Sequence, residues 1–235
     1  GKPQLKMVDS EVPVEPKKAK ADLVSLLRDN LNDFTPLEND RELIMQGWSL
    51  LCKNYSPIFL EKSPHYLCQW SALELIVEHI HEVNDVDFLL IGLIRNPMDT
   101  IYSQFKRWKS PPEKVEKQWL TAYQNLLRLR EIHELPLAIV RYEDIVSSLK
   151  SLEPVFSFCG VSATADDESY VHTKSIGKWK NDKLFGLSLS HQTIELAEKF
   201  RYQKSELVNN THPLWVVFRK SLRAVHWSIK LRLLR

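Results

Sequence analysis

The sequence predicts an α/β fold in which helices flank a parallel central sheet. Between residues 57 and 159, strand-like runs alternate with helix-length patterns, which is typical of βαβ units. The run FLLIGLIR, residues 88–95, is apolar along most of its length, as parallel strands are when both faces are covered. The chain has 235 residues, 43% hydrophobic and 26% charged, and this composition favours one globular domain with a sizeable core.

Two helices are predicted before the first strand. The segments DLVSLLRDNLNDF and NDRELIMQGWSLLCKNY are amphipathic with helical spacing. The short run PIFLEKSP predicts the first strand, and YLCQWSALELIVEHIHEV after it predicts a further amphipathic helix.

The second and third strands are predicted further along the chain. FLLIGLIR is followed by one helix from Pro97 and another from Pro112 to about His133. PLAIVRY predicts the third strand, with a helix from about Asp144 to Cys159 behind it. Ligands of open α/β sheets bind at the carboxyl ends of the strands. The clusters EKSPH and RNP, which close the first two predicted strands, therefore predict where the chemistry takes place.

The RNP cluster leads directly into a predicted helix start. Asn96 can cap the helix with its side-chain oxygen, Pro97 suits the first helical position, and Asp99 can reach back to the exposed amides. Ser103 lies seven residues beyond Asn96, on the same side of the helix and about 10 Å along it. The Arg95 guanidinium and the Ser103 hydroxyl can therefore converge on one anion, and a phosphate suits this pair. The alternative pairs Arg95 with a carboxylate and bonds Ser103 to its own helix; spacing alone does not choose between the two.

Composition also bears on metals and partners. Three cysteines without metal-type spacing indicate neither a disulfide framework nor a zinc site, and we predict no metal. No apolar run reaches the roughly 18 residues typical of a membrane span. We also predict no nucleic-acid partner.

The last stretch of the chain, residues 214–235, is basic. It carries six Lys or Arg residues and no acid, and its apolar residues recur at helical spacing. One interpretation is a helix that contacts a membrane surface or an acidic polymer. The other is a terminal helix packed on its own domain with a solvated basic face.

Four segments together resemble the sulfotransferases that use 3′-phosphoadenosine 5′-phosphosulfate. RNPMDTIYSQF is similar to the segment that binds the 3′-phosphate in that family, and FLEKSPHYL is similar to the Glu-Lys-Thr/Ser-Pro segment of its carbohydrate sulfotransferases. IVRYEDIVSSLKSLEPVFSFCGV resembles the family's strand, Tyr-Glu-Asp and following helix, and SIGKWKND resembles a later loop that closes over the nucleotide. The segments occur in the family's order within residues 58–185.

This resemblance implies a P-loop-like, three-layer fold and transfer of a sulfonate from the donor to a hydroxyl or amine of an acceptor. The EKSP segment favours a carbohydrate acceptor, while lipids, peptides and small molecules stay open, as do bacterial cytoplasm and Golgi lumen as compartments. The donor is a co-substrate, and no metal is required. The expected organisation is one domain, with a helical part at 1–57, a nucleotide-binding core at 58–185 and C-terminal helices with the basic tail at 186–235.

The resemblance also assigns roles to individual residues. Arg95 and Ser103 match the residues that bind the 3′-phosphate. Lys62 matches the lysine that faces donor and acceptor, where an ammonium can stabilise charge on the transferring sulfonate, with a surface lysine at a strand end as its alternative. His65 is a candidate base for the acceptor hydroxyl, with capping of the next helix as its alternative.

In the later loop the family's Arg-Lys-Gly run is absent, and the chain reads HTKSIGKWKN. Lys174, Lys178 and Trp179 are the nearest candidates for contact with the nucleotide. Trp179 can stack on the adenine or belong to the core. Glu143 and Asp144 are expected to organise structure, with Asp144 as a helix cap.

One expected element of the family is not found in the sequence. The 5′-phosphosulfate is normally bound by an early Gly-rich strand, loop and helix, and the six glycines here form no such cluster. We therefore expect the chain to be truncated at its N-terminus. Two alternatives remain open: a non-catalytic relative that binds nucleotide or acidic polysaccharide, and a P-loop kinase relative, against which the absence of G-x-x-x-x-G-K-S/T argues.

Overall fold

The computed structural model describes residues 15–63, 65–132, 134–182, 185–209 and 222. The chain forms two compact units, Gly1–Phe88 and Leu89–Arg235. Within the described ranges, no helix has both the length and the apolar character needed to cross a membrane. The basic stretch 214–235 lies outside the described residues apart from Leu222, and the division into one domain with three parts stays a prediction.

The first unit contains three helices: α1 (Pro16–Asn30), α2 (Asp40–Asn54) and α3 (Trp70–Glu82). These confirm the three helices predicted from amphipathic spacing. The core between α1 and α2 contains Leu27, Leu43 and Leu51. Gly47 lets the two helices approach closely, because a Cβ at this position would lie 2.9 Å from Leu27 Cδ1.

The strand predicted at PIFLEKSP is wrong for the residues that the structure describes. Residues 58–63 have no regular secondary structure, and Ile58 and Leu60 are 46% and 77% exposed. The apolar part of this run is only a few residues long, and a strand needs a hydrogen-bonded neighbour to be stable. A 3₁₀ turn, Tyr66–Cys68, then leads to α3.

In the second unit, two parallel strands lie side by side, β1 (Leu90–Ile94) and β2 (Leu137–Arg141). Their register runs from Leu90 opposite Leu137 to Ile94 opposite Arg141. The α/β class with a parallel sheet is thus confirmed, although the described part of the chain is mostly helical. Gly92 packs against Leu126, whose Cδ1 would lie 2.6 Å from an added Cβ.

The helices of this unit follow β1 and β2. Helix α4 (Pro97–Trp108) begins two residues after β1, and α5 (Pro112–Arg130) ends shortly before the predicted His133. A core cluster joins both helices to later segments of the unit, and its buried members are Met98, Ile101, Val115, Trp179 and Phe185.

The single helix predicted from Asp144 to Cys159 is instead divided into three pieces. They are α6 (Tyr142–Ser147), a 3₁₀ turn (Leu149–Leu152) and α7 (Glu153–Phe158). Ser148 is extended, and its hydroxyl caps the 3₁₀ turn by accepting from the Lys150 N–H. Pro154 lies in the first turn of α7, where its missing N–H is tolerated. The remaining α-helices among the described residues are α8 (Ala165–Glu168) and α9 (His191–Lys199).

Candidate functional site

The junction between β1 and α4 is organised by Asn96. Its Oδ1 accepts from the backbone N–H groups of Met98 at 2.9 Å and Asp99 at 3.4 Å, which confirms the predicted cap, and Pro97 occupies the first helical position. The Asn96 backbone N–H donates to Glu143 Oε1 at 2.9 Å. Asn96 is buried, so these bonds fix the direction in which the chain leaves the strand.

Arg95 lies at the carboxyl end of β1, and its side chain is anchored by two residues. Nη2 donates to the Ser175 carbonyl at 3.0 Å, and the guanidinium lies 4.6 Å from the centre of the Tyr142 ring. The hydroxyls of Tyr142 and Ser175 are themselves 2.7 Å apart. Among the described residues, Arg95 forms no ion pair, and its buried Nε has no hydrogen-bond partner. The alternative in which Arg95 pairs with a carboxylate is therefore not seen there.

Asp99 does not reach back to the helix amides as predicted. Asn96 already accepts from the amides of Met98 and Asp99, and both Asp99 oxygens accept instead from the Gly177 N–H, at 2.8 and 3.1 Å. The Asp99 side chain is 3% exposed. Burial raises the pKa of Asp99 to about 6, and the Arg95 charge and the Gly177 N–H limit that rise because both favour the ionised form.

Ser103 lies on the exposed surface of α4, one turn after Asp99. Its hydroxyl has no hydrogen-bond partner among the described residues, so the alternative in which it bonds to its own helix is not seen. No hydrogen bond joins Ser103 to Arg95 in the part of the chain described. The two residues share a helix junction but are not in direct contact through a hydrogen bond.

Residues 173–182 lie along α4. Two 3₁₀ turns, Thr173–Ser175 and Lys178–Asn181, flank Gly177, which has a φ of +67° that favours glycine. Lys174 and Lys178 both expose their side chains, and neither forms an ion pair with another described residue. At the end of the segment, Asp182 accepts from the Tyr102 hydroxyl at 3.1 Å and pairs with Lys106 at 2.9 Å.

Trp179 lies in the core, one of the two alternatives for this residue. Its side chain is 1% exposed and packs with Met98, Ile101 and Phe185. In this arrangement the ring offers no free face to an adenine, and its Nε1 has no partner in the described ranges.

Lys62 and His65 lie in the first unit, and both side chains are exposed. Beside Lys62, the Ser63 hydroxyl donates to the Glu61 carboxylate. His65 immediately precedes the 3₁₀ turn Tyr66–Cys68 but its side chain makes no capping hydrogen bond. The capping alternative for His65 is therefore not seen, and the catalytic roles of the two residues stay predictions.

Glu143 has the structural role expected of the Tyr-Glu-Asp segment. One oxygen accepts from the Asn96 N–H, and the other accepts from the Tyr202 hydroxyl at 2.7 Å. Asp144, by contrast, was wrongly predicted as a helix cap. Helix α6 begins at Tyr142, so Asp144 lies inside the first turn, where its side chain is exposed.

Three residues at this site were not predicted from the sequence: Tyr142, Ser175 and Gly177. Tyr142 had a detectable signal, because parallel pairing of FLLIGLIR with PLAIVRY brings the residues after Ile94 and Arg141 to the same edge of the sheet. Ser175 and Gly177 contact Arg95 and Asp99 across 80 and 78 residues of sequence, and no local pattern reports such pairs.

Comparison with known proteins gives the class of fold. One solved structure similar to the chain is the sulfotransferase domain from the Synechococcus PCC 7002 olefin synthase, with 21% identity and a TM-score of 0.54 over 82% of this chain and 72% of that one. Another is the sulfotransferase domain from the curacin biosynthetic pathway, with 22% identity and a TM-score of 0.51 over 68% of each chain. No protein-family model matches the chain, and no match was found among curated proteins. The chain therefore has a sulfotransferase-like fold.

Proposed function

We propose that this protein is a sulfotransferase that takes a sulfonate from 3′-phosphoadenosine 5′-phosphosulfate and transfers it to a hydroxyl or amine of an acceptor. The observation that carries the proposal is the anchored arginine, Arg95, at the carboxyl end of β1 in a fold shared with two sulfotransferase domains. The acceptor class that the EKSP segment favours is a carbohydrate.

Arg95 would bind the 3′-phosphate of the donor. Tyr142 and Ser175 fix its guanidinium while using only Nη2 as a hydrogen-bond donor, so that the group keeps donor capacity at Nη1 and at the unpartnered Nε. A buried donor without a partner costs free energy, and a phosphate oxygen would satisfy it. The exposed Ser103 hydroxyl on the same junction helix would supply a further, weaker contact.

The charges around Arg95 require additional cations if a phosphate binds. Asp99 and Glu143 both lie near this junction, and each is already bonded by N–H or O–H donors. Lys174 and Lys178 project from residues 173–182 without ion-pair partners among the described residues. We assign to them the positive charge that offsets the two carboxylates and attracts the nucleotide.

Lys62 and His65 would act on the transferring group and the acceptor. An ammonium at Lys62 would stabilise charge that builds on the sulfonate oxygens, and His65 would accept the acceptor proton. Sulfuryl transfer resembles phosphoryl transfer in that positioning and charge stabilisation account for most of the rate enhancement.

The test is a comparison of two nucleotides by titration calorimetry. We expect the chain to bind adenosine 3′,5′-bisphosphate at least about tenfold more tightly than adenosine 5′-monophosphate, since one charge-assisted contact is worth about 1.5–3 kcal/mol. Arg95→Ala should remove most of this preference, and Ser103→Ala should remove a smaller part of it.

Arg107, on α4, provides a matched arginine control. It is exposed near the end of α4, with its guanidinium 4.9 Å from the Trp108 ring, and no nucleotide role is assigned to it. Arg107→Ala should therefore keep the preference for the bisphosphate. Equal affinity of the unmutated chain for the two nucleotides would contradict the proposed function.

A further inference from the structure

Polar contacts join residues 173–182 to α4 at two places. Near the start of the helix, the Gly177 N–H donates to both oxygens of Asp99. Further along the helix, Asp182 bonds to Tyr102, about one turn beyond Asp99, and to Lys106, about two turns beyond it. Between these two points the segment buries Trp179 in the core cluster.

The contact at Asp99 is the one that lies next to Arg95. Gly177 is only two residues beyond Ser175, whose carbonyl accepts from Arg95. The same segment carries Lys174 and Lys178. The position of the Gly177 amide thus determines where the Arg95 anchor and the two lysines lie.

Asp99 is an unusual residue for so enclosed a position. A buried carboxylate is costly unless it is paired or bonded, and an apolar residue would fill the same space without that cost. Here the hydrogen-bond partner that the structure gives both carboxylate oxygens is one backbone N–H from a segment 78 residues away. This bond therefore ties the position of residues 173–182 to Asp99.

We propose that Asp99 is a positioning residue for the nucleotide site: by accepting from the Gly177 N–H it fixes residues 173–182 against α4, and thereby fixes Arg95 and the neighbouring lysines for the 3′-phosphate. The inference rests on the proposed function, because the ligand is the donor nucleotide. Asp99 itself does not contact the nucleotide in this scheme.

Two neutral substitutions separate the hydrogen bond from the charge. Asp99→Asn keeps a side-chain oxygen that can accept from Gly177, and Asp99→Leu has a similar size but no acceptor. We expect Asp99→Leu to lower the affinity for adenosine 3′,5′-bisphosphate by about tenfold or more, because the bond from Gly177 that holds the segment in its binding position is lost and the binding-competent fraction falls. Asp99→Asn should stay within about threefold of the unmutated chain. Asp99→Ala provides the same comparison if Asp99→Leu does not fold.

A second measurement reports on the segment without any nucleotide. Labelling with ¹³C-carbonyl isoleucine and ¹⁵N-glycine selects the amides of Gly92 and Gly177, since each of these glycines follows an isoleucine. In Asp99→Leu, the Gly177 amide should change its chemical shift and exchange with solvent at least about tenfold faster. The Gly92 amide, in β1, should keep both properties and serves as the internal control.

Asp167→Asn is the matched control variant. Asp167 also accepts from a backbone N–H, that of Thr164 at 2.8 Å, but this bond belongs to the capping box of the short helix α8. This substitution should change neither bisphosphate affinity nor Gly177 exchange.

The outcomes separate the inference from the proposed function. Unchanged Gly177 exchange in Asp99→Leu, or bisphosphate affinity equal in the unmutated chain, Asp99→Asn and Asp99→Leu, overturns the inference. If the unmutated chain does not prefer the bisphosphate, the proposed function fails, and the positioning role of Asp99 for the nucleotide fails with it even where the Gly177 amide responds. The expected combination of slow Gly177 exchange and tight binding in the unmutated chain, with both lost in Asp99→Leu, supports both.

Discussion

The junction between β1 and α4 and the segment 58–68 both carry charged residues to which we assign chemistry, but they are built in opposite ways. At the junction, Asn96 and Asp99 are buried, and each is bonded to a residue far away in sequence. In residues 58–68, Lys62 and His65 are exposed, and the polar contact of Glu61 is with its near neighbour Ser63. Distant parts of the fold thus hold the side chains of the junction, whereas the side chains of Lys62 and His65 face solvent.

This difference predicts what substitutions do. A side chain that is packed and bonded on all sides contributes to the free energy of unfolding, so its replacement changes stability as well as any ligand affinity. A charged side chain in water contributes little to stability, so its replacement changes only the chemistry it takes part in. The four predictions below test this division, and they are given in order of decreasing expected effect.

Trp179 belongs to the packed region and should show the largest loss of stability. Trp179→Ala is expected to lower the free energy of unfolding by about 3–5 kcal/mol, because it removes a large ring from the core cluster. Trp179→Phe should cost less, since it keeps an aromatic ring and removes an N–H that has no partner among the described residues. Urea denaturation measures both. A Trp179→Ala variant with normal stability and weakened nucleotide binding would instead favour the adenine-stacking role.

Lys62 belongs to the exposed segment, and its substitution should reduce activity while leaving stability nearly unchanged. Lys62→Ala is expected to reduce sulfonate transfer from radiolabelled donor by about 10²-fold or more, which corresponds to roughly 2.7 kcal/mol of transition-state stabilisation. Its nucleotide affinity should change less than about threefold and its free energy of unfolding by less than about 0.5 kcal/mol. His65→Ala should also lose about 10²-fold if His65 is the base.

Lys53 is the control for this experiment, since it is an exposed lysine of the same unit that lies 3.6 Å from Asp85. Lys53→Ala should transfer sulfonate normally. Normal turnover in Lys62→Ala would favour the alternative in which Lys62 is a surface lysine without a catalytic role. Tight binding of the bisphosphate without any sulfonate transfer would favour the non-catalytic alternative.

Asp99 lies in the packed region, and its substitution should raise stability in a pH-dependent way. Burial raises the pKa of Asp99 from 3.8 to about 6, with Glu143 adding to the rise and Arg95 and Lys180 opposing it. The folded state therefore binds this proton more tightly than the unfolded state, and the free energy of unfolding falls as the pH rises from about 4 to 6. The ionised carboxylate costs on the order of 3 kcal/mol above that range.

Asp99→Asn is neutral at every pH and should be more stable than the unmutated chain by about 1–3 kcal/mol at pH 7.5, with the difference vanishing near pH 4. Denaturation at a series of pH values measures this. Asp167→Asn should give no gain at pH 7.5, because bonds from Thr164 lower the pKa of Asp167 and favour its ionised form. Equal stability of Asp99→Asn and the unmutated chain at pH 7.5 would show that the buried charge is not costly.

Local features of the sequence predicted the packed region well. The Asn96 cap and the first helical position of Pro97 depend on neighbours within three residues, so the sequence alone is enough to identify them. Asp99 was assigned to the wrong partner because Gly177 is brought to it only by the tertiary fold. Tyr142 was within reach of prediction, since the register of the two parallel strands places it beside Arg95.

The first strand was predicted wrongly for a related reason. An apolar run becomes a strand only where another strand supplies hydrogen bonds and a face to pack against, and β1 has both in β2 and α5. In residues 58–63 Phe59 packs against the core cluster of α1 and α2, but no strand pairs with this stretch within the described part of the first unit. Composition alone does not distinguish these two cases.

Leu60 gives the smallest expected effect and tests this explanation directly. Truncating a leucine in a buried strand would lower the free energy of unfolding by about 2–5 kcal/mol. Leu60 is 77% exposed, so its truncation removes little buried apolar surface. Leu60→Ser should therefore change the free energy of unfolding by less than about 0.5 kcal/mol, as measured by urea denaturation. Leu43→Ala, in the core between α1 and α2, is the matched control and should cost several times more. A loss of about 2 kcal/mol or more in Leu60→Ser would mean that Leu60 is packed in solution, and the contrast between the two segments would then fail.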